Sequence, residues 1–469
     1  MKGDIGLIGL AVMGQNLALN IARKGYKVSV YNRTSSRTEE FVKEKVKDEK
    51  IIPCYDIKSF VESLETPRKI ILMVKAGQPV DDTIKELLPY LTPGDLIIDG
   101  GNSHYSDTSR RLKELREKGI LFLGMGVSGG EYGALHGPSL MPGGTREAYQ
   151  LVEEILLKIS AQTEDGPCCT YVGDDSAGHF VKMVHNGIEY AYMQAIAEVY
   201  DIMRKVLKMN SKEIGDVFEE WNKGDLNSFL MEISYKIMRF IDEETGKPLV
   251  ELILDKAEQK GTGKWTAQTA LDLGVPTPSL DLAVSARTLS HFKDMRRELS
   301  KRYDKVVSIF SLNRDEVLED LRKSLLFAMF MAFSQGLWLI SVASKEFNYN
   351  IDLTEVVRIW KGGCIIRARL LNLFRDIIKE NPENVNLLNS DKAYNFIKEK
   401  LESIKNVTKI SKAYNIPTLV LNSSLDYFLS ITEENLPANL IQAQRDFFGA
   451  HTYQRIDKEG IFHTVWEEF

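Results

Sequence analysis

Residues 5–31, IGLIGLAVMGQNLALNIARKGYKVSVY, decide the fold. Ile5 to Ile8 is a short continuous apolar run, as in a strand buried on both faces, and Gly9-Leu-Ala-Val-Met-Gly14 turns the chain out of it. Leu17, Leu19 and Ala22 then mark an apolar-periodic helix, and Lys27 to Tyr31 reads as the next strand. Strand, glycine turn, helix and strand within about thirty residues form the unit that places a pyrophosphate at a helix N-terminus, where unpaired N–H groups and the helix dipole favour negative charge. Ala11 stands where the G-x-G-x-x-G pattern has its second glycine, which is compatible with a slightly less intimate backbone approach. A glycine-rich turn without a ligand is the alternative. The strand before and the helix after favour a dinucleotide site contacted by Gly9, Leu10, Ala11, Val12, Met13 and Gly14.

The end of the second strand selects the cofactor. Enzymes that prefer NAD usually place an Asp or Glu here for the ribose 2′-hydroxyl, whereas this chain has Asn32-Arg33-Thr34. A guanidinium that can pair a 2′-phosphate bidentately, with Asn32 and Thr34 adding donors, predicts NADP. Further strands are expected at 69–74, at 95–99 and, short, at 121–123. In a doubly wound sheet their C-terminal ends share one crevice with the glycine turn, which brings Val74, Lys75, Ala76 and Asn102 to the cofactor. Asn102 can touch both cofactor and substrate there, and Ser128, Gly129 and Gly130 offer a hydroxyl and two unobstructed amides suited to a carboxylate. The expected architecture is an α/β Rossmann-like dinucleotide-binding domain over residues 1–175 followed by a large all-α domain.

Helical periodicity takes over after Asp174-Asp175-Ser176, any of which could cap a helix, and the next stretch, HFVKMVHNGIEY at 179–190, holds two faces. At 100° per residue Lys182, His185, Asn186, Glu189 and Tyr190 share one stripe, opposite Phe180, Val184, Ile188 and Ala191. An amine, an imidazole, an amide, a carboxylate and a phenol in one row could hold a polyhydroxylated substrate and move protons on it; the bland alternative is a solvated face. Two later segments echo each other: Met193-Gln-Ala195 with Val217 to Gly224, and Ser334-Gln-Gly336 with Val356 to Gly363. They imply a duplicated helical unit, about 177–315 and 316–436, within a helical domain 176–436, with a C-terminal tail at 437–469.

With 43% hydrophobic and 27% charged residues the chain reads as an ordinary folded protein, and its formal charge of -6 gives no general attraction to nucleic acid or an anionic membrane. Four cysteines in no metal-ligating spacing point to free thiols in a reducing compartment, and the N-terminus lacks a signal-peptide pattern, so the cytoplasm is expected. The apolar run 324–343 approaches membrane-spanning length, but Ser334 and Gln335 interrupt it and a buried core helix is expected. Lys260-Gly-Thr262-Gly-Lys264-Trp265 is a basic glycine turn with neither the Walker spacing nor a preceding strand, and a substrate-phosphate loop fits it better.

GLAVMG at 9–14, NRT at 32–34, DGGNS at 99–103, GVSGGEYGA at 126–134, HGPSLMPGG at 136–144 and KMVHNGIEY at 182–190 together resemble the 6-phosphogluconate dehydrogenases, as do KGTGKWT at 260–266 and QRDFFGAHTY at 444–453. The resemblance covers essentially the whole chain in order. It implies oxidation of 6-phosphogluconate at C3 by NADP without a metal, loss of C1 as carbon dioxide, and protonation of the enediol to ribulose 5-phosphate in the pentose phosphate pathway. In that scheme Lys182 is the base at C3 and then the acid that polarises the ketone, and Glu189 protonates C1. An ordinary lysine is neutral only about one time in a thousand near neutral pH, so a lowered Lys182 pKa and a raised Glu189 pKa are expected. His185 and Asn186 orient sugar hydroxyls, and Lys260, Thr262, Arg287, Arg445 and Tyr190 hold the phosphate. The family's dimers imply a homodimer in which Arg445 and His451 of the tail complete the other protomer's site. A smaller-substrate β-hydroxyacid dehydrogenase and an inactive NADP-binding scaffold are the rivals.

Overall fold

The computed structural model describes residues 2–47, 49–303, 305–308, 311–383 and 386–466, so the last three residues of the expected tail lie outside the described residues. The chain divides into two compact units, before and after the Ser424–Leu425 bond.

The first unit begins with strands β1 (Ile5–Ile8), β2 (Val28–Tyr31), β3 (Ile51–Cys54), β4 (Lys69–Leu72), β5 (Leu96–Asp99), β6 (Leu121–Ser128), β7 (Ser139–Gly144) and β8 (Gly173–Asp174). They form one sheet in the order β8-β7-β6-β5-β4-β1-β2-β3, parallel except for the antiparallel β6–β7 pair. The longer early helices are α1 (Val12–Arg23), α2 (Ser35–Lys45), α3 (Gln78–Leu87) and α4 (Tyr105–Arg116). Strand residues alternate between two cores: Leu7, Val30, Ile71 and Ile98 pack on one side of the sheet, and Ile8, Tyr31, Leu72 and Ile97 on the other. The order reverses between β1 and β4, which opens a crevice beyond their C-terminal ends.

Two elements differ from expectation. β6 runs on through Gly124 and Gly126 to Ser128 instead of stopping near Leu123, and HGPSLMPGG supplies its antiparallel partner, β7. Glycines hide this pair from side-chain periodicity, and they are there for a reason. Helix α5 (Ala177–Lys205) lies on the two strands at backbone distance. A methyl at Gly178 would stand 2.3 Å from the carbonyl oxygens of both Gly124 and Met141, and one at Gly126 would stand 2.5 Å from Cβ of Lys182. Ser176 takes the N-cap position of α5 without capping it; its hydroxyl pairs with Tyr349 instead (2.8 Å).

The remaining helices that matter for the site are α6 (Thr262–Asp272), α7 (Pro278–His291) and α8 (Arg314–Glu346). α8 is the one helix among the described residues long and apolar enough to cross a membrane, and its apolar run is buried inside the unit. Its Gln335 explains the polar interruption: the side chain accepts from Ser279 N and donates to Ser279 Oγ, both at 3.0 Å, at the start of α7. The apolar face of α5 packs on this helix, with Val184 and Ile188 seated against Gly336. Gly187, inside α5, serves a similar close approach, since a methyl there would stand 2.7 Å from Thr266 Cγ2 on α6.

The second unit contains helix α9 (Ala438–Gly449) and a return strand segment in which Tyr453 and Phe462 exchange backbone hydrogen bonds, both 2.8 Å. Buried Asp446 organises it, accepting from Thr452 N (2.9 Å), Thr464 N (3.0 Å), His463 Nδ1 (2.9 Å) and Trp466 Nε1 (2.8 Å).

Candidate active site

The glycine turn is built for close approach. Gly9 sits at φ +102° with its Cα facing the Met73 carbonyl, where a methyl would come within 2.4 Å, and a methyl at Gly14 would overlap the Gly9 carbonyl. Asn32 Oδ1 accepts from Leu10 N (3.0 Å) and Asn32 Nδ2 donates to Thr34 O (3.1 Å), so Asn32 fastens the two strand ends to each other. α1 starts after Ala11 with no side-chain cap and no acidic residue in its first turn, and Ala11 and Val12 are exposed. Its N-terminal amides are therefore open to an anion.

A cavity of about 440 Å³ beside this turn is lined by Gly9, Asn32, Arg33, Thr34, Val74 and Lys75. Arg37, not among the residues expected from the sequence, lines it too and also lines the neighbouring cavity at Leu10, Ala11 and Val12. Its only signal was a second arginine four residues after Arg33. Two guanidinium groups and an uncapped helix fit a phosphorylated dinucleotide. Arg33→Asp is expected to shift the kcat/KM preference for NADP over NAD by roughly 100-fold toward NAD, the scale of a lost charge-assisted phosphate contact. An unaltered ratio would take Arg33 out of the site.

The polar stripe of α5 is not a solvated face: Lys182, His185 and Asn186 are 6%, 0% and 9% exposed. One hydrogen-bonded row crosses the helix. Ser128 Oγ lies 3.2 Å from His185 Nε2, His185 Nδ1 lies 3.1 Å from Asn186 Oδ1, and Asn186 Nδ2 donates to Thr262 Oγ1 (2.9 Å). The amide oxygen is an acceptor only, so His185 donates to it through Nδ1 and receives the Ser128 hydroxyl at Nε2. Burial, with Lys182 beside it, pushes the His185 pKa well below its ordinary value and leaves a neutral ring.

Lys182 Nζ donates to the same Asn186 oxygen at 2.5 Å and stands 3.5 Å from His185 Nδ1. Burial lowers its pKa, against the opposing pull of Glu189 and Cys364. Glu189, one turn past His185 on the same stripe, moves the other way: burial raises its pKa against the pull of Lys182 and Arg287. A lysine pushed toward the amine and a carboxyl pushed toward the acid make a matched base and acid.

α6 and α7 close the site from one side. Thr262 begins α6, Gly263 makes room for the Tyr190 ring, and the Arg287 guanidinium stacks 3.4 Å from the centre of that ring. Lys260 is exposed just before them. Trp360 meets His185 edge-on at 5.7 Å, and Gly129, at φ +116°, packs on the Gly363 carbonyl. Cys364 is buried beside Lys182 and Glu189, with its thiol pKa raised by burial to about 12, so it is an inert wall. A cavity of about 660 Å³ adjoins this wall, lined by Gly129, Tyr132, Gly363, Cys364 and Ile365 among others. Asn102 is exposed on the loop after β5, and His104 in that loop lies 5.0 Å edge-on from Trp265 of α6.

Ser128, Lys182, His185, Asn186, Glu189, Tyr190, Thr262 and Arg287 thus form one cluster. Arg445 and His451 belong to the second unit, both exposed; Arg445 Nη1 donates to Gln442 Oε1 (3.1 Å) and the His451 ring lies 5.9 Å from Phe448. Among the described residues no group of His, Cys, Asp and Glu could hold a metal ion.

Comparison with known proteins meets this geometry from outside. Residues 4–173 match the model of the NAD binding domain of 6-phosphogluconate dehydrogenase, and residues 178–466 match that of the 6-phosphogluconate dehydrogenase C-terminal domain. The NADP(+)-dependent, decarboxylating 6-phosphogluconate dehydrogenase of Bacillus subtilis is 52% identical, and the decarboxylating enzyme of Escherichia coli is 48% identical, each over 99% of both chains. The solved structure of the Plasmodium falciparum enzyme, studied with its cofactor NADP+ and its substrate 6-phosphogluconate, matches with a TM-score of 0.95 and 45% identity, over 99% of this chain and 100% of that one.

Proposed function

The chain belongs to the 6-phosphogluconate dehydrogenase family, and on that premise we propose how its residues divide the work. The reaction is the oxidative decarboxylation of 6-phospho-D-gluconate to D-ribulose 5-phosphate and carbon dioxide, with NADP as cofactor. Full-length identity near 50% with decarboxylating enzymes disfavours a smaller β-hydroxyacid dehydrogenase. One observation carries the catalytic assignment: Lys182, buried and held by a single acceptor oxygen, shares a helix face with a carboxyl whose pKa moves in the opposite sense.

NADP would lie across the α1 N-terminus with its 2′-phosphate at Asn32, Arg33 and Thr34, and when bound it supplies the hydride acceptor. Neutral Lys182 takes the C3 hydroxyl proton. The resulting ammonium polarises the C3 ketone while the C1–C2 bond breaks, so the bonding electrons reach the ketone oxygen and Lys182 returns its proton there. Glu189 then delivers a proton to the terminal carbon of the enediol while Lys182, neutral again, takes the hydroxyl proton from the former C3 oxygen, which leaves the ketone of ribulose 5-phosphate. Ser128, Gly129 and Gly130 receive the carboxylate, Asn102, His185 and Asn186 hold the hydroxyls, and Tyr190, Lys260, Thr262 and Arg287 receive the phosphate. Assay of the purified chain with 6-phosphogluconate and NADP tests the reaction: NADPH and carbon dioxide are expected in equal amounts, and NADPH without carbon dioxide would overturn it.

The tail belongs to a homodimer in this reading, with Arg445 and His451 entering the partner's site. Two features support this. The tail unit leaves Leu440, Ile441, Phe447 and Phe448 of α9 exposed, and it presents Arg445 and His451 at its surface. Lys182→Met and Arg445→Ala protomers, each inactive alone, are expected to recover about a quarter of wild-type activity after mixing and re-equilibration, since half the dimers become hybrids with one intact site. No recovery would separate the tail from the partner's site. Four buried free thiols, Cys54, Cys168, Cys169 and Cys364, support a cytoplasmic setting.

A further inference from the structure

Arg111 lies on α4 with its side chain only 1% exposed, and it is not part of the cluster around Lys182. A guanidinium has five N–H donors, and here each has an acceptor. Nε donates to Asp81 Oδ1 (2.8 Å); Nη2 donates to Asp81 Oδ2 (3.0 Å) and the Gly77 carbonyl (3.0 Å); Nη1 donates to Asp99 Oδ2 and Ser103 Oγ (both 3.4 Å).

These acceptors lie in or directly beside two loops at the mouth of the sheet. Gly77 ends the loop after β4 that carries Val74, Lys75 and Ala76, and Asp81 sits in the first turn of α3 behind it. Asp99 and Ser103 bracket Gly100-Gly101-Asn102 after β5. Asp99 folds its own loop, accepting from Gly101 N (3.0 Å) and Ser103 Oγ (2.5 Å), and its carboxylate, fully buried, pairs with Arg111. Joining α4 to α3 would need only the bidentate bond to Asp81. The other three donors reach loop groups, and the loops they reach face the cofactor cavity on one side and carry Asn102 on the other. Removing one partner of a buried, hydrogen-bonded charge frees all of these groups at once.

From this juxtaposition we infer that Arg111 is a positioning residue that locks the loop after β4 to the loop after β5 and thereby holds Asn102 toward the sugar acid. The inference rests on the family reading of Asn102. Its effect passes through Asn102, so the two side chains must not act independently.

A double-mutant cycle tests this in the full-length protein. Dissociation constants for 6-phosphogluconate alone and for 2′,5′-ADP are measured by calorimetry for wild type, Arg111→Met, Asn102→Ala and the double variant. Each single change is expected to weaken 6-phosphogluconate about 10-fold, with the double variant no weaker than the weaker single. 2′,5′-ADP, with its 2′-phosphate assigned to Arg33, enters the cavity that Val74 and Lys75 of the loop after β4 also line, so Arg111→Met should weaken it by less than it weakens 6-phosphogluconate, and Asn102→Ala should leave it within about twofold. Losses of 6-phosphogluconate affinity that multiply, or a loss of 2′,5′-ADP affinity in Arg111→Met as large as that of 6-phosphogluconate, would overturn the role given to Arg111. Wild-type affinity in Asn102→Ala would instead fault the reading of Asn102, and the inference with it. Should Arg111→Met not fold, Ser103→Ala removes only the hydroxyl between Asp99 and Arg111; it must show the same non-additive pattern, smaller in size, and an unchanged or multiplicative result refutes the coupling.

Discussion

Lys182→Met should lower NADPH formation roughly ten-thousand-fold while 6-phosphogluconate and NADP still bind, because it removes the group proposed both as base and as the cation that polarises the ketone. Methionine nearly matches the lysine stem, so the contact with Gly126 survives, and Asn186 Oδ1 keeps the His185 donor. Lys182→Arg separates the two roles: it restores the charge but cannot give up its proton, and should be as inactive as Met. The stability effect has the opposite sign. Burial lowers the Lys182 pKa, so between that value and the unfolded value of about 10.4 the unfolded chain binds more protons, and wild-type stability rises with pH through this window. Lys182→Met escapes that penalty. Its melting temperature should exceed wild type at neutral pH, and the gap should close as the solution approaches the unfolded lysine value. A less stable variant at neutral pH would mean that lysine is held there as a satisfied ammonium, and the base assignment would fail.

Glu189→Gln should reduce steady-state turnover by about 100- to 1,000-fold yet spare the first hydride transfer. The amide fills the same volume and cannot supply a proton to carbon. In a single turnover NADPH should appear at close to the wild-type rate, followed by slow release of ribulose 5-phosphate. The pH profile separates the partners further. In the proposed mechanism wild-type kcat needs Lys182 neutral for the first step and Glu189 protonated for the last, so it falls toward acid as the lysine protonates and toward alkali as the glutamic acid ionises. Glu189→Gln should keep the acid limb and lose the alkaline one. First-turnover NADPH that slows as much as the steady state would remove Glu189 from the protonation step.

The stripe that holds these two residues was legible in the sequence because helical spacing is local. Lys182 and Glu189 are seven apart, two turns on one face, and their stripe could be drawn without knowing what covered it. Its burial could not, since the covering comes from Thr262 and Trp360, distant in the chain. The first strands and the glycine turn showed for the same local reason: continuous apolar runs and a turn bounded by Gly9 and Gly14. β7 and the far half of β6 did not, because Gly124 and Gly126 leave the face toward α5 without side chains and interrupt the apolar run. Arg111 was invisible as well. Its acceptors begin at Gly77, 34 residues upstream, and nothing in RRLKE distinguishes the buried arginine from Arg110, which binds Asp81 from the surface.

The seam between α5 and the β6–β7 pair fixes more than a position. At Gly143 and Gly178 peptide faces peptide, and at Gly126 the Lys182 stem rests on bare backbone, so the strand end that bears Ser128 and the helix that bears Lys182 have no room to slide and behave as a single casting. The entropy of arranging the reactive groups is spent when the chain folds, once, and not at every encounter with substrate. The groups placed on that seat need no rearrangement of the seam itself to meet their substrate.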